Sequence, residues 1–439
     1  MIRFLAVILA AGLFASGAQA QTLAITNAQI LTLGEMGDIP RGTVIVRDGR
    51  ISAVGADVRV PAGMRVLDAK GQILTPGLVE TVSSLGLRDL VSLSASTGPQ
   101  GERVSVAYEV VRDFNPNNPL VAEARLEGVT RAILAPAEQP RGPAGAGSGP
   151  FAGQAGVVRL ALDGASVTDG AAAVAVVIGS GGRGDDFAVL EGALQLARRG
   201  TLAADPASNY GLSQADLTRL AGVARRERPL LVEVDRASDI RNVLDLAHRL
   251  DIRIVLSGAA EAWMLAEEIA RAGIPVIVDG EANQAVMSYD SLNATYENAA
   301  ILTRAGVLVA FKPGFSRILV LTRTPRLIAG RAARYGLEPH AALAAITLNP
   351  ARIFGFADRT GSIEVGKDAD LVLWDGDPLE TTTLAQAVLI RGVEQPMTAH
   401  NRALRDRYLP RVRQGADGAS PRPQPPAAPL ATASHEKQP

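Results

Sequence analysis

Apolar and polar residues alternate with period two over residues 22–75, in short runs such as LAITNAQIL, GTVIVRDGRISAVG and RVLDAKGQILTPG. That spacing, broken by Gly, Asp and Pro, predicts short antiparallel strands. Asp48-Gly49 sits where a tight hairpin turn is expected. A similar pattern returns near the other end, in GSIEVGKDADLVLWDG and QAVLIRGV. The two ends are therefore expected to join in one small β-sandwich, built from residues 22–75 plus 359–395.

The pattern changes between residues 76 and 358. Short β-branched runs at 129–136, 173–179, 230–235, 252–258, 274–279 and 307–313 read as buried parallel strands. Amphipathic stretches such as DIRNVLDLAHRL and EAWMLAEEIARAG separate the later ones. Repeats of this length predict an α/β fold, a (β/α)8 TIM-like barrel inserted into the sandwich. Residues 83–170 are irregular and rich in Gly and Pro. Within them, 143–156 reads as a flexible glycine-rich loop. It lacks the Lys-Ser/Thr of a phosphate-binding loop and the strand–helix setting of a dinucleotide fingerprint.

Two further segments stand apart. Arg3, the apolar run FLAVILAAGLFA and Ala18-Gln19-Ala20 form a cleavable signal peptide pattern over 1–20, with cleavage after Ala20. The mature chain is thus expected to be periplasmic or secreted. Residues 412–439 are Pro/Ala-rich and read as a disordered tail. No later run is long enough to span a membrane.

Composition narrows the chemistry. The chain has 439 residues, 47% hydrophobic and 20% charged, with a formal net charge of -1. No basic field recruits nucleic acid or anionic lipid. There is no cysteine, so disulfides and thiolate metal sites are both excluded. Four histidines occur (His248, His340, His400, His435), all in predicted helices or tails and none at a strand end. Lys312 is the only lysine in the predicted barrel.

Two stretches carry a family resemblance: ILTPGLVETVSSLG (73–86) and ITLNPARIFGFADRTGSIEVGKDADLVLWDGDP (346–378). They resemble the amidohydrolase superfamily, and the later barrel is similar to imidazolonepropionase-like members. The resemblance implies hydrolysis of a non-peptide carbon–nitrogen bond, in an amide or cyclic amide, by water activated on zinc or another divalent ion. In that family the first strand reads Pro-Gly-Leu-Ile-Asp-x-His-x-His, which puts two imidazoles on one side of a strand. Here Pro76, Gly77, Leu78, Val79 and Glu80 follow the pattern, but Val82 and Ser84 hold the histidine positions. The fifth strand offers Glu233 and Asp235 in place of His-x-His. The sixth offers Ser257-Gly258 for a histidine. The last offers Phe311-Lys312-Pro313 near the aspartate position. The resemblance thus points to a degenerate member, with no cofactor and Val82, Ser84, Gly258 and Pro313 at the ligand positions. At the C-terminal end, Thr347, Asn349 and Pro350 cap the last helices, and Gly366-Lys367, Asp368 and Asp370 are structural.

Other residues could rebuild a site. Glu80, Glu233 and Asp235 are expected near strand ends, where three carboxylates could hold a hard cation or supply a general acid/base pair. An arginine such as Arg236 could instead neutralise them. Lys312 could act as nucleophile or base, or pair with Glu233 or Asp235 and fill the space of a metal. The primary reading is a non-catalytic protein that binds a small molecule or forms a homo- or hetero-oligomer with an active relative. The alternative is a hydrolase with a replaced carboxylate/lysine site.

Overall fold

The computed structural model describes residues 22–87, 106–136, 149–162, 166–179, 182–280, 289–313, 324–399 and 407–408. The expected leader and tail, His400 and His435 lie outside these residues.

The first strands are β1 (Leu23–Ile30), β2 (Ile39–Arg47), β3 (Arg50–Gly55), β4 (Arg65–Asp68) and β5 (Ile73–Pro76). Next come β6 (Leu78–Ser83), β7 (Val129–Leu134), β8 (Phe151–Arg159), β9 (Val167–Val177), β10 (Leu230–Val234), β11 (Ile254–Gly258), β12 (Val276–Asp279) and β13 (Val309–Lys312). The chain closes with β14 (Leu371–Trp374), β15 (Ala385–Ile390) and β16 (Val393–Glu394).

Both ends of the chain build one sheet, in the order β16-β15-β14-β5-β1-β2-β3, with β4 pairing β1 beside β5. Its strands are not all antiparallel as the alternation suggested: β4 and β5 both run parallel to β1. Asp48 and Gly49 turn the β2–β3 hairpin with φ of 53° and 75°, so both central residues are left-handed, as a two-residue turn requires. Ile25, Val44, Leu74, Leu371 and Leu389 form the core of one face. On the other face, Val372, Trp374 and Val388 join the core beneath the barrel's helices. The Trp374 indole N–H donates to Thr75 Oγ1 at 2.9 Å. Gly128 (φ +87°) lies so close to this ring that a Cβ there would sit 2.5 Å from Cη2.

The remaining eight strands form a nearly closed barrel, in the order β6 to β13. Seven of them are parallel. β8 runs antiparallel to both neighbours, so a strictly parallel (β/α)8 sheet is not what this chain builds. The residues Phe151–Gly156, expected in a flexible loop, are the first six of the nine residues of β8. Between β13 and β6 the seam is bridged by another segment: Phe311 N–H donates to Ala345 O, and Val79 N–H to Ile346 O at 2.8 Å. Asn349 reinforces it by donating from Nδ2 to Val309 O at 2.7 Å. Thr347 does not cap the helix it precedes; its hydroxyl bonds back to Leu343 O. No described helix is long and apolar enough to cross a membrane.

Inside the barrel, Ile133, Val157, Ala173, Leu231, Val255 and Ile277 meet with Phe354. The alternate residues of the barrel strands, such as Val232, Leu256, Val278 and Phe311, face the helices. This alternation decides which polar residues reach the interior at the C-terminal ends of the strands.

Candidate functional site

Leu231, Val255, Ile277 and Ala310 point into the barrel on four successive strands. Two residues further along, on the same side, stand Glu233, Ser257, Asp279 and Lys312. Glu233 is in register with Ser257, and Asp279 with Lys312. A polar ring therefore sits one layer above an apolar plug.

At its centre the Lys312 ammonium donates to Glu233 Oε1, although β13 and β10 are three strands apart in the sheet. The lysine side chain is 0% exposed and that of Glu233 15%. Ser257 Oγ donates to the other carboxylate oxygen, Oε2, at 2.6 Å. Asp235, two residues beyond Glu233, belongs to the same cluster. Burial pushes its carboxyl up to about 7; the charge of Glu233 adds to the rise, while Lys312, the Ala260 N–H and Asp279 act in smaller measure, the first two downward and the third upward. Gly258 (φ +84°) makes this crowding possible. A Cβ there would lie 2.6 Å from Asp235 Oδ1 and 3.2 Å from Glu233 Oε1.

Glu80 is not part of this cluster. It shares the face of Leu78, which packs under the helices, and pairs with outward-facing Ala132. Its Oε1 accepts from Ser83 Oγ at 2.5 Å, and its Oε2 has no hydrogen-bond partner among the described residues. Burial raises its pKa to about 7 against the pull of the Ser83 hydroxyl, and no charged group contributes. The expectation that Glu80, Glu233 and Asp235 meet is therefore corrected: β6 turns Glu80 away. Just beyond it, Val82 adopts φ +53°, a conformation that a β-branched side chain rarely takes. The register of β6 against β7 shifts between Glu80 and Ser83, so the strand bulges at Val82.

The Glu80 carboxyl has a measurable signature. A folded pKa near 7 against an ordinary 4.5 means that the folded chain holds a proton the unfolded chain has lost. Stability is unaffected below about pH 4.5, falls as pH rises towards 7, and carries the full penalty above that. Relative to wild type, Glu80→Gln is expected to gain stability across that window, up to ~3 kcal/mol, and then to level off. Urea unfolding of both proteins at several pH values reads this directly. Parallel stability curves would show that no such proton is held.

The other positions named from the family pattern are all buried: Val82 and Ser84 in or after β6, Gly258 ending β11 and Pro313 following β13. His248 lies in the helix Ala237–Arg249 and His340 in Pro339–Ala344, both away from the ring. Arg236 is not the neutralising partner of Glu233; Lys312 is. Among the described residues, no group of three or more His, Cys, Asp or Glu side chains could hold a metal ion.

Several site residues were not singled out by sequence. Asp279 ends a strand whose interior position, Ile277, is two residues back, and that spacing was the available signal. Glu261 is another: Oε2 accepts from Ala237 N–H at 2.9 Å and Oε1 from Asn293 at 3.0–3.1 Å. Arg183 bridges Asp239 (2.7 Å) and Asp290, tying three connecting segments of the mouth together.

Comparison with known proteins places this architecture. A model of the amidohydrolase family matches residues 236–400. The chain is 25% identical over 403 residues to the amidohydrolase tasK of Hapsidospora irregularis, covering 81% of this chain but only 40% of that protein. It is also 25% identical over 417 residues to the imidazolonepropionase of Brucella anthropi, covering 80% of this chain and 92% of that one. Among solved structures, an amidohydrolase from Thermotoga maritima superimposes with a TM-score of 0.74 at 25% identity, covering 85% of this chain and 99% of the other.

Proposed function

Because the chain belongs to the amidohydrolase family, we propose that it is an exported, non-catalytic member in which an ion pair stands where the family seats its metal. The observation that carries this reading is the buried Lys312–Glu233 pair. A divalent ion at the barrel centre would face an ammonium group in a dry environment, where like charges repel strongly. Both oxygens of Glu233 already accept hydrogen bonds, from Lys312 and Ser257. The donor set therefore does not fit a zinc-type ion, which needs imidazole or free carboxylate ligands in tetrahedral array. Separation of Glu80 from Glu233 and Asp235 also removes the three-carboxylate site for Mg²⁺ or Ca²⁺.

On this reading residues 1–20 are a leader removed after Ala20, residues 22–75 and 359–395 form the family's β-sandwich, and residues 76–358 form the barrel. The protein acts by binding a small molecule or by associating with a catalytically intact relative as its partner subunit.

One observation favours a second reading, a hydrolase with a rebuilt site. Asp235, held near pKa 7 beside Lys312, could exchange a proton at neutral pH. Elemental analysis of the purified chain, together with assays on N-acyl amino acids and cyclic amides, separates the two. The first reading expects no stoichiometric transition metal and no hydrolysis. Hydrolysis that disappears in Asp235→Asn would establish the second. A bound transition metal at one per chain would overturn both.

A further inference from the structure

The polar ring occupies one end of the barrel, and a separate groove lies at the other. Pro229, Arg253, Pro275 and Leu308 immediately precede β10, β11, β12 and β13, and all four line a groove of about 490 Å³. Its volume is in the range of a small-molecule site. Leu244, Ile252, Ile274, Leu308 and Ile353 give it an apolar floor. Arg226, His248, Arg253 and Arg352 are exposed on its rim, against one acid, Asp251.

The charges do not cancel. Asp251 is paired with Arg226. The side chains of Arg253 and Arg352 make no hydrogen bond or ion pair among the described residues. A surface role explains part of this: His248 and Arg352 stand in the last turns of their helices, where a cation is favourable. Arg253 has no such role, since it leads into a strand. Two unpaired guanidiniums over an aliphatic floor match a ligand with an apolar body and one carboxylate, which the planar guanidinium binds through paired hydrogen bonds.

We propose that this groove is a binding site for a small apolar-tailed carboxylate, with Arg253 and Arg352 holding the carboxylate and the Ile/Leu floor holding the tail. The site is distinct from the polar ring. Val255, which lines the groove, stands two residues below Ser257 on β11, so one interior layer separates the two.

Isothermal titration of the full chain with octanoate, octanol and acetate tests it. Octanoate is expected to bind saturably at one per chain. Octanol, with the tail but no charge, is expected to bind at least about tenfold more weakly, and acetate not measurably. The double variant Arg253→Gln/Arg352→Gln is expected to weaken octanoate about tenfold or more and to leave octanol unchanged. Leu244→Glu, which places an anion on the floor, is expected to abolish octanoate binding. Melting curves establish that each variant is folded. Equal binding of octanoate and octanol, absence of saturation, or native affinity in both folded variants would overturn the proposal.

Discussion

Lys312→Met is expected to lower the unfolding free energy by about 3–5 kcal/mol at neutral pH, as when one partner is removed from a buried ion pair. The lysine is fully enclosed, and its ammonium is the cation that offsets Glu233 and lowers the Asp235 pKa. Without it, two carboxylates crowd Gly258, where Ser257 Oγ donates to Glu233 and the Ala260 N–H to Asp235. One of them must then take up a proton, so the folded pKa of the pair rises further. Raised carboxylate pKa values reduce stability as pH climbs from the unfolded value to the folded one. The deficit of Lys312→Met should therefore shrink in mildly acidic solution and widen above neutral pH. The double variant Lys312→Met/Glu233→Gln should recover at least half of the loss, because the carboxylate that the ammonium directly paired is gone and its repulsion of Asp235 goes with it. Denaturant unfolding of the three proteins at pH 5 to 8 provides the measurement. A loss under about 1 kcal/mol, or a double variant as damaged as the single, would mean that the Lys312–Glu233 pair does not hold the barrel centre together.

How much of this was legible follows from what each segment packs against. β10 to β13 could be read directly, because each is a continuous apolar run buried on both faces. β8 was hidden by its glycines. Gly153 (φ +124°) and Gly156 look like a flexible loop in sequence. A Cβ on Gly153 would meet Tyr108 at 2.7 Å, and one on Gly156 would meet Val111 at 2.5 Å. Close packing against residues 108–111 demands these glycines, and nothing local in the sequence reveals that neighbour. The candidate site divides in the same way. Glu233, Asp235 and Lys312 were visible as charges at strand ends. Which of them meet is set by barrel closure, which brings β13 opposite β10. Glu80 is also a charge at a strand end, but its alternation with Leu78 puts it on the outward face. The spacing Ile277–Asp279 was present in the sequence, but it acquires meaning only once Ile277 is known to face inward.

Arg131→Met is expected to be at least as damaging, through the junction of barrel and composite sheet. Arg131 stands on β7 with 3% of its side chain exposed. Nη2 donates to Asp368 Oδ2 at 2.7 Å and Nε to Asp370 Oδ2 at 2.8 Å, both carboxylates being fully buried. Burial alone would depress its pKa, but the charges of Asp370 and Asp368 outweigh that and raise it. Asp370 also fastens the entry to β14: its Oδ1 accepts from Arg391 N–H at 2.8 Å, and its backbone O from Gly77 N–H. Removing the guanidinium leaves two buried acids with one ion-pair partner among the described residues, Arg359, which is half-exposed and reaches Asp368 but not Asp370. The expected loss is about 3–5 kcal/mol, a large part of the 5–15 kcal/mol that holds a typical domain together. Soluble yield should fall with it. Lys at this position can satisfy one carboxylate but not both in the plane of a fork, so Arg131→Lys should fall between wild type and Met. Neutralising the acids in Arg131→Met/Asp368→Asn/Asp370→Asn should restore part of the stability, since an asparagine Oδ1 can still accept from Arg391 N–H. If all these variants unfold within about 1 kcal/mol of wild type, the sheet and barrel are held by the apolar contacts around Trp374, and the buried charges contribute little.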